Sequence, residues 1–358
     1  MKKTLLAAAL MAGFAGIAQA ETSVTLYGII DGGIGYDRVK SHNADGSTKS
    51  TRTGLIDGVQ SGNRWGLKGT EDLGNGLRAN FVLESGFNLA NGHQAQGGRL
   101  FGRRATLGLA GDSWGELNLG RQTNIASDFY VDVHGNAWSS TGSGQAFRAT
   151  DTFRMDNSVV YKTPNFSGFQ AGVGYSFNAN GTQLWKEQGI KDQNNSMLTT
   201  GLRYANGPVA VAASYDRLRS GSRYDLNTGA YSQFKHQSAW NVSGSYDFEV
   251  VALSLAFGQD YDGAFGEGYA KKFDYNNYAV ALAFPIGEGK LSGSYSLSQP
   301  RKEAKDAGEK KQHTFSLAYS HPLSKRTNVY AMGGYVKNMD YVNKDKRTVA
   351  GVGIRHQF

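Results

Sequence analysis

Apolar and polar residues alternate with a period of two along most of this chain, the pattern of strands whose two faces meet different surroundings. Phe169, Ala171, Val173, Tyr175 and Phe177 interleave with Gln170, Gly172, Gly174 and Ser176. Leu291, Gly293, Tyr295 and Leu297 interleave with Ser292, Ser294, Ser296 and Ser298, and Phe315, Leu317 and Tyr319 with Thr314, Ser316, Ala318 and Ser320. A soluble sandwich also alternates, but its polar face meets bulk water and carries long charged side chains. Here the polar positions are mostly Ser, Gly, Thr, Asn and Gln. The connections come in two sizes that take turns. Seven short ones, around 71–76, 111–115, 163–168, 205–208, 247–249, 285–289 and 322–326, carry the Gly, Asn, Asp or Pro of tight turns. Between them lie eight longer polar stretches, roughly 36–62, 86–100, 122–156, 178–196, 218–237, 260–274, 299–312 and 338–347. Eight loops that each join two strands predict an all-β, 16-stranded antiparallel transmembrane barrel. The short turns belong on the periplasmic rim and the long loops outside, and a barrel of about sixteen strands is wide enough for an aqueous channel.

Composition narrows the class. The 358 residues include 48 glycines, 19 tyrosines and 18 phenylalanines but only 5 prolines. Scarce proline suits a sheet in which nearly every N–H must find a neighbouring strand, and abundant aromatics suit interfacial girdles. Mean hydropathy is −0.45 and cysteine is absent, which argues against a helical membrane protein and against a disulfide-stapled secreted domain. At the start, Lys2 and Lys3 precede an apolar run from Leu5 to Ile17 that closes on Ala18, Gln19 and Ala20. This reads as a secretory signal peptide over 1–20 with an A-x-A cleavage site, followed by one barrel domain over 21–358. The formal net charge is +8, or +6 without the two leader lysines. In an exported chain this surplus points to an anionic surface rather than to nucleic acid.

Enzymatic chemistry finds no foothold. The histidines at 42, 93, 134, 236, 313, 321 and 356 form no H-E-x-x-H and no i, i+4 pair, and no G-x-S-x-G occurs. The many G-x-G triplets lack a following helix and read as strand glycines. No cofactor or metal is expected. A hydrolase whose Ser, His and Asp converge from separate strands stays open, although it has no use for a wide aqueous channel.

Five blocks in order resemble the Gram-negative trimeric general porins, most closely their betaproteobacterial branch. They are SVTLYGIIDGGIG (23–35), NRWGLKGTEDLGNGLRANFVLESGF (63–87), RLFGRRATLGLAGDSWGELNLGRQ (99–122), NSVVYKTPNFSGF (157–169) and the end GVGIRHQF. The resemblance spans the mature chain. It implies a homotrimer of sixteen-stranded barrels, each with its own pore, for passive diffusion of small polar solutes and ions. It also implies a third loop, here about Gln122 to Asp156, that folds inward and narrows the channel. Val352, Ile354 and Phe358 share a face of the last strand, and in this family a terminal aromatic is read as an outer-membrane insertion signal.

In such porins a ladder of wall arginines faces acids on the inward loop. By motif, Arg64, Lys68, Arg121 and Arg154 take the wall positions, and Asp128 and Asp132 lie on the first half of the third loop. Alternation supports the first pair independently, because Trp65 and Leu67 would face lipid. Arg104 has lumen parity but sits beside Arg103. Guanidinium suits this role because it stays charged and planar. A Pro-Glu-Phe-Gly-Gly signature found in enterobacterial porins is missing, so the ladder should dominate and give mild anion preference. Charge runs at 301–311 and 343–347 fall in outer loops, where basic residues could meet lipopolysaccharide phosphates and acids could bind divalent cations. A substrate-specific channel and an adhesin whose loops bind host factors are the alternative readings.

Overall fold

The computed structural model describes residues 23–43, 46–134, 146–147, 153–186, 192–225, 230–233, 236–263 and 273–358, with backbone alone at 43, 131–134, 222–225 and 230–233. The expected signal peptide lies outside the described residues. Sixteen strands form the wall. The first quarter holds β1 (Ser23–Asn43), β2 (Arg64–Gly74), β3 (Leu77–Gly86) and β4 (Arg104–Gly111). Then come β5 (Gly115–Thr123), β6 (Arg154–Lys162), β7 (Phe169–Ser176) and β8 (Ser196–Asn206). The second half holds β9 (Val209–Arg219), β10 (Gln237–Asp247), β11 (Ala252–Tyr261) and β12 (Tyr275–Ile286). It ends with β13 (Gly289–Pro300), β14 (Gln312–Pro322), β15 (Thr327–Lys337) and β16 (Lys346–Gln357). Each strand pairs antiparallel with the next, and β1 pairs with β16 from Ile29↔Gln357 to Lys40↔Lys346, so the cylinder is closed and has no free edge.

The seven short connections are all turns. Asn75 and Gly76 join β2 to β3 with φ of +53° and +74°, the left-handed pair that a two-residue hairpin needs. The first long connection, expected as a loop over about 36–62, is instead a second hairpin. β1 runs on to Asn43, and Gly46–Asp57 folds back along it, in register from Gly32↔Asp57 to Asn43↔Gly46. Thr and Ser alternate with charged residues in this arm, and their β-propensity keeps an exposed polar stretch extended. The return to the wall is pinned at Asp31, whose carboxylate accepts from Tyr330 Oη (2.6 Å) and from the Ser61 N–H (2.6 Å).

Faces follow the alternation. Leu26, Ile34, Leu107, Leu202, Leu317 and Val352 point outward and are exposed, as are Phe169, Tyr175 and Phe315. The inner positions carry Ser, Thr, Asn and charged groups, with Ser292, Ser296, Thr314 and Asn277 in the shade of longer side chains. The terminal residue belongs to the outer face: Phe358 and Gly28 exchange both backbone hydrogen bonds at 3.1 Å. The Phe358 ring fills the space over Gly28, where an added Cβ would come within 2.3 Å of it.

Candidate functional site: a constriction between the third loop and an arginine wall

The third loop enters the barrel and is held there by an apolar seat. Its helix α1 (Ile125–His134) buries Ile125, Ala126, Phe129 and Tyr130 completely or nearly so. Ile125 and Phe129 pack with Met155, Val160, Met197, Ala212, Leu218 and Ala239, so the helix rests on the inner face of β6 to β10. Gly172 and Gly201 provide the depression. A Cβ at Gly172 would stand 2.6 Å from Ile125 Cδ1, and one at Gly201 would stand 2.8 Å from Ile125 Cγ2. Burying two such side chains contributes about 2–3 kcal/mol each. Farther along the loop, Phe147 packs on Tyr130 (ring centroids 5.0 Å apart) and on Ala256 and Ala279, which carries the loop across to β11 and β12.

The wall from β2 to β6 carries the opposite chemistry. Arg64 and Lys68 pair with Ile29 and Thr25 and share their inward face, whereas Trp65 and Leu67 stand opposite Gly28 and Leu26 on the outer one. Arg104 stands opposite Glu84, also inward, and its Nε donates to Thr106 Oγ1 at 3.2 Å. Arg64 Nε donates to the Gly62 carbonyl (2.9 Å), and Lys68 Nζ lies 5.5 Å above the Tyr27 ring.

Arg121 reaches the lumen through an irregularity. Leu119, two residues before it, faces outward, so strict alternation would send Arg121 into lipid as well. The ladder slips there. Gly120 stands opposite Ser158, but Gln122 opposite Met155, which leaves Arg121 alone against Asp156 and Asn157. This is a β-bulge on β6, and it re-aims a side chain as bulges do. Gly120 has φ +118° and Asn157 φ +50°, and a Cβ at Gly120 would fall 2.1 Å from the Ala105 carbonyl. Re-aimed, Arg121 Nη1 meets Asp156 Oδ1 at 2.5 Å, while its Nε donates to the Gly102 carbonyl at 2.8 Å. Arg99, from the end of the second loop, takes the other side of the same carboxylate at 2.7 Å. Arg103 binds Glu84 at 2.7 Å, and Tyr27 Oη donates to the second oxygen of Glu84 at 3.0 Å. Arg154 lies in the field of Arg103, Arg121, Arg64 and Glu84.

Four of the six constriction residues expected from the sequence, Arg64, Lys68, Arg121 and Arg154, thus stand on one stretch of wall. The loop acids lie elsewhere. Asp128, in the first turn of α1, is held by the Lys162 ammonium and the Thr123 hydroxyl, and among the described residues no ion pair joins it to the arginines. Asp132 is on the same helix, with its side chain outside the described residues. The acids that do meet the arginines, Glu84 and Asp156, are on the wall. Sequence reasoning passed them over, although Glu84 has lumen parity between outward Leu83 and buried Ser85, and Asp156 lies two residues from Arg154. Among the described residues, six arginines (64, 99, 103, 104, 121 and 154) gather around two carboxylates, a surplus of four positive charges.

Known proteins match this arrangement over its whole length. Residues 7–341 match the family described as Gram-negative porin. The chain is 48% identical to an outer membrane porin protein of Bordetella pertussis and 32% identical to outer membrane porin protein 32 of Delftia acidovorans, each over 100% of both chains. Its fold superposes on an anion-selective porin from Comamonas acidovorans with a TM-score of 0.73 at 28% identity, covering 94% of this chain and 100% of that one. The chain belongs to the Gram-negative porin family and is an outer-membrane channel for the diffusion of small hydrophilic solutes.

Proposed function

We propose that this porin selects mildly for anions, and that Arg64, Lys68, Arg121 and Arg154 set the selection at the level of the third loop. The observation that carries this is the surplus of arginine over carboxylate on the β2 to β6 wall. Fixed guanidinium groups lining a narrow passage raise the local anion concentration and lower that of cations. The resemblance in fold to a porin named as anion-selective supports the same direction. Glu84 and Asp156 act as anchors: each holds arginine groups in place by short charge-assisted bonds. Asp128 fixes α1 to the wall through Lys162, and Asp132, on the same helix, is the remaining candidate for an acid facing the ladder.

The rest of the proposal concerns assembly. The leader is removed after Ala20, and Phe358 serves as the insertion signal. Three copies associate, each with its own pore, and phosphates of lipopolysaccharide meet the basic outer rim. No reaction is catalysed and no cofactor is used. Liposome swelling tests the selectivity: small neutral sugars should enter freely, and a small anionic solute should enter faster than a cation of equal size. Faster entry of the cation would reverse the proposal.

A further inference from the structure

The outer face carries a row of cations that the channel does not use. Directly opposed residues in a sheet share a face, and the register places Lys49 opposite Lys40, Lys40 opposite Lys346, Lys346 opposite Lys337 and Lys337 opposite His313. Lys40 is in phase with Ile34 and Tyr36, Lys346 with Val352 and Ile354, and Lys337 with Val329, so the row faces outward. Four lysines on four successive strands therefore stand side by side, with Cβ atoms about 5 Å apart. One same-face step toward the periplasm, Arg38 stands in a row with Thr348, Tyr335, Phe315 and Tyr295. Below that the outer face is apolar, with Leu317, Ala331, Val352 and Ile34.

Hydrocarbon-facing residues, then rings, then cations is the order in which a protein surface passes from bilayer core through headgroups. Like charges directly opposed are destabilising, and this row opposes three pairs of them. The nearby carboxylates are committed elsewhere. Asp37 lies on the inner face between Arg52 and Arg347, both at 2.9 Å, and Asp345 accepts from the His42 N–H at 2.7 Å. Among the described residues none of the four lysines has an ion-pair partner. A second copy of the same row would only add repulsion. The charge calls for an anion supplied by the surroundings.

We infer that Lys49, Lys40, Lys346 and Lys337, with Arg38 beneath them, form a binding site for the phosphorylated glycolipid headgroup of the outer leaflet. This rests on the outer-membrane location and gives the lipopolysaccharide contact a place in the fold. A headgroup with two phosphates on one disaccharide engages two positions of the row at once, and its acyl chains descend along the apolar face below Tyr335 and Phe315.

The test compares the intact protein, the variant Lys40→Gln/Lys337→Gln/Lys346→Gln, and a control altered in the last periplasmic turn, Lys325→Gln/Arg326→Gln. Each is titrated in detergent with diphosphorylated lipid A, with the same lipid dephosphorylated, and with inorganic phosphate as competitor, while conductance is recorded in parallel. A lysine near a phosphate surface changes affinity about fivefold, so the triple variant should bind diphosphorylated lipid A on the order of a hundredfold more weakly. The control should bind as the intact protein does, and all three should conduct alike. Equal binding by the triple variant, or binding that ignores the lipid phosphates, would overturn the inference and leave the channel untouched. Displacement by dilute inorganic phosphate would assign the row to the free ion and likewise overturn it. Phosphate-dependent binding by a protein that fails to conduct would count against the channel and leave the site standing.

Discussion

Replacing Arg64 and Arg104 together by glutamine separates pore charge from pore structure. Both guanidinium groups donate only to uncharged oxygens, the Gly62 carbonyl and the Thr106 hydroxyl, so their removal strands no carboxylate. The structural cost is about 1 kcal/mol per lost hydrogen bond. The electrostatic effect is larger in consequence. A unit charge about 7 Å from a passing ion is worth roughly 0.6 kcal/mol in bulk-water dielectric. At about 0.1 M salt the Debye length of about 10 Å leaves roughly half of that. Two charges then amount to about 0.6 kcal/mol, nearly threefold in local anion concentration and the inverse for cations, so the anion-to-cation permeability ratio should fall about sevenfold. At about 1 M, where the Debye length is about 3 Å, the difference between variant and parent should almost vanish. The assay is the reversal potential across a planar bilayer under a salt gradient, recorded at low and at high mean salt. A reversal potential that does not move at low salt, or moves toward greater anion preference, would refute this account of the wall arginines.

Asp156→Asn should act the other way on selectivity, because Arg99 and Arg121 lose their shared carboxylate and keep their charge. Anion preference should rise by up to about twofold, while the thermal midpoint of the folded barrel, read from heat-modifiable gel mobility, should fall through the loss of about 1–3 kcal/mol. Gly172→Val places carbon 2.6 Å from Ile125 and should push α1 into the passage, lowering single-channel conductance; adding Ile125→Ala should restore it, and failure to restore would separate the glycine from the helix. Gly120→Ala is strained at φ +118° and should destabilise by at least about 1–2 kcal/mol, with reduced anion preference as the bulge that aims Arg121 is lost. Phe358→Ala uncovers Gly28 at the barrel seam and should lower the yield of folded protein in the outer membrane, measured by surface accessibility, more than it lowers refolding yield in detergent.

The barrel was legible because its two signals are local. Alternation sets each strand's faces, and every short connection carries a turn residue at the place the geometry needs it, as Asn75 and Gly76 do between β2 and β3. The lumen placement of Arg64 and Lys68 followed from the same parity. Arg121 did not, since its direction depends on a register slip against β6 that no count along β5 can reveal. Alternation along the arm at 46–57 was masked by its uniform polarity, because an arm standing in water has no apolar face to announce it. The partners of the arginines were missed for a related reason. The acids were sought on the inward loop, whereas Glu84 and Asp156 reach the arginines across strand neighbours and a loop end that lie far away in the chain.

Single-channel recording of the purified, refolded protein under a salt gradient tests the central claim most directly. The account predicts large, ohmic conductance steps that close in thirds and a reversal potential on the anion side, shrinking as mean salt rises. A folded barrel that passes no current, or one that reverses on the cation side at low salt, would contradict it.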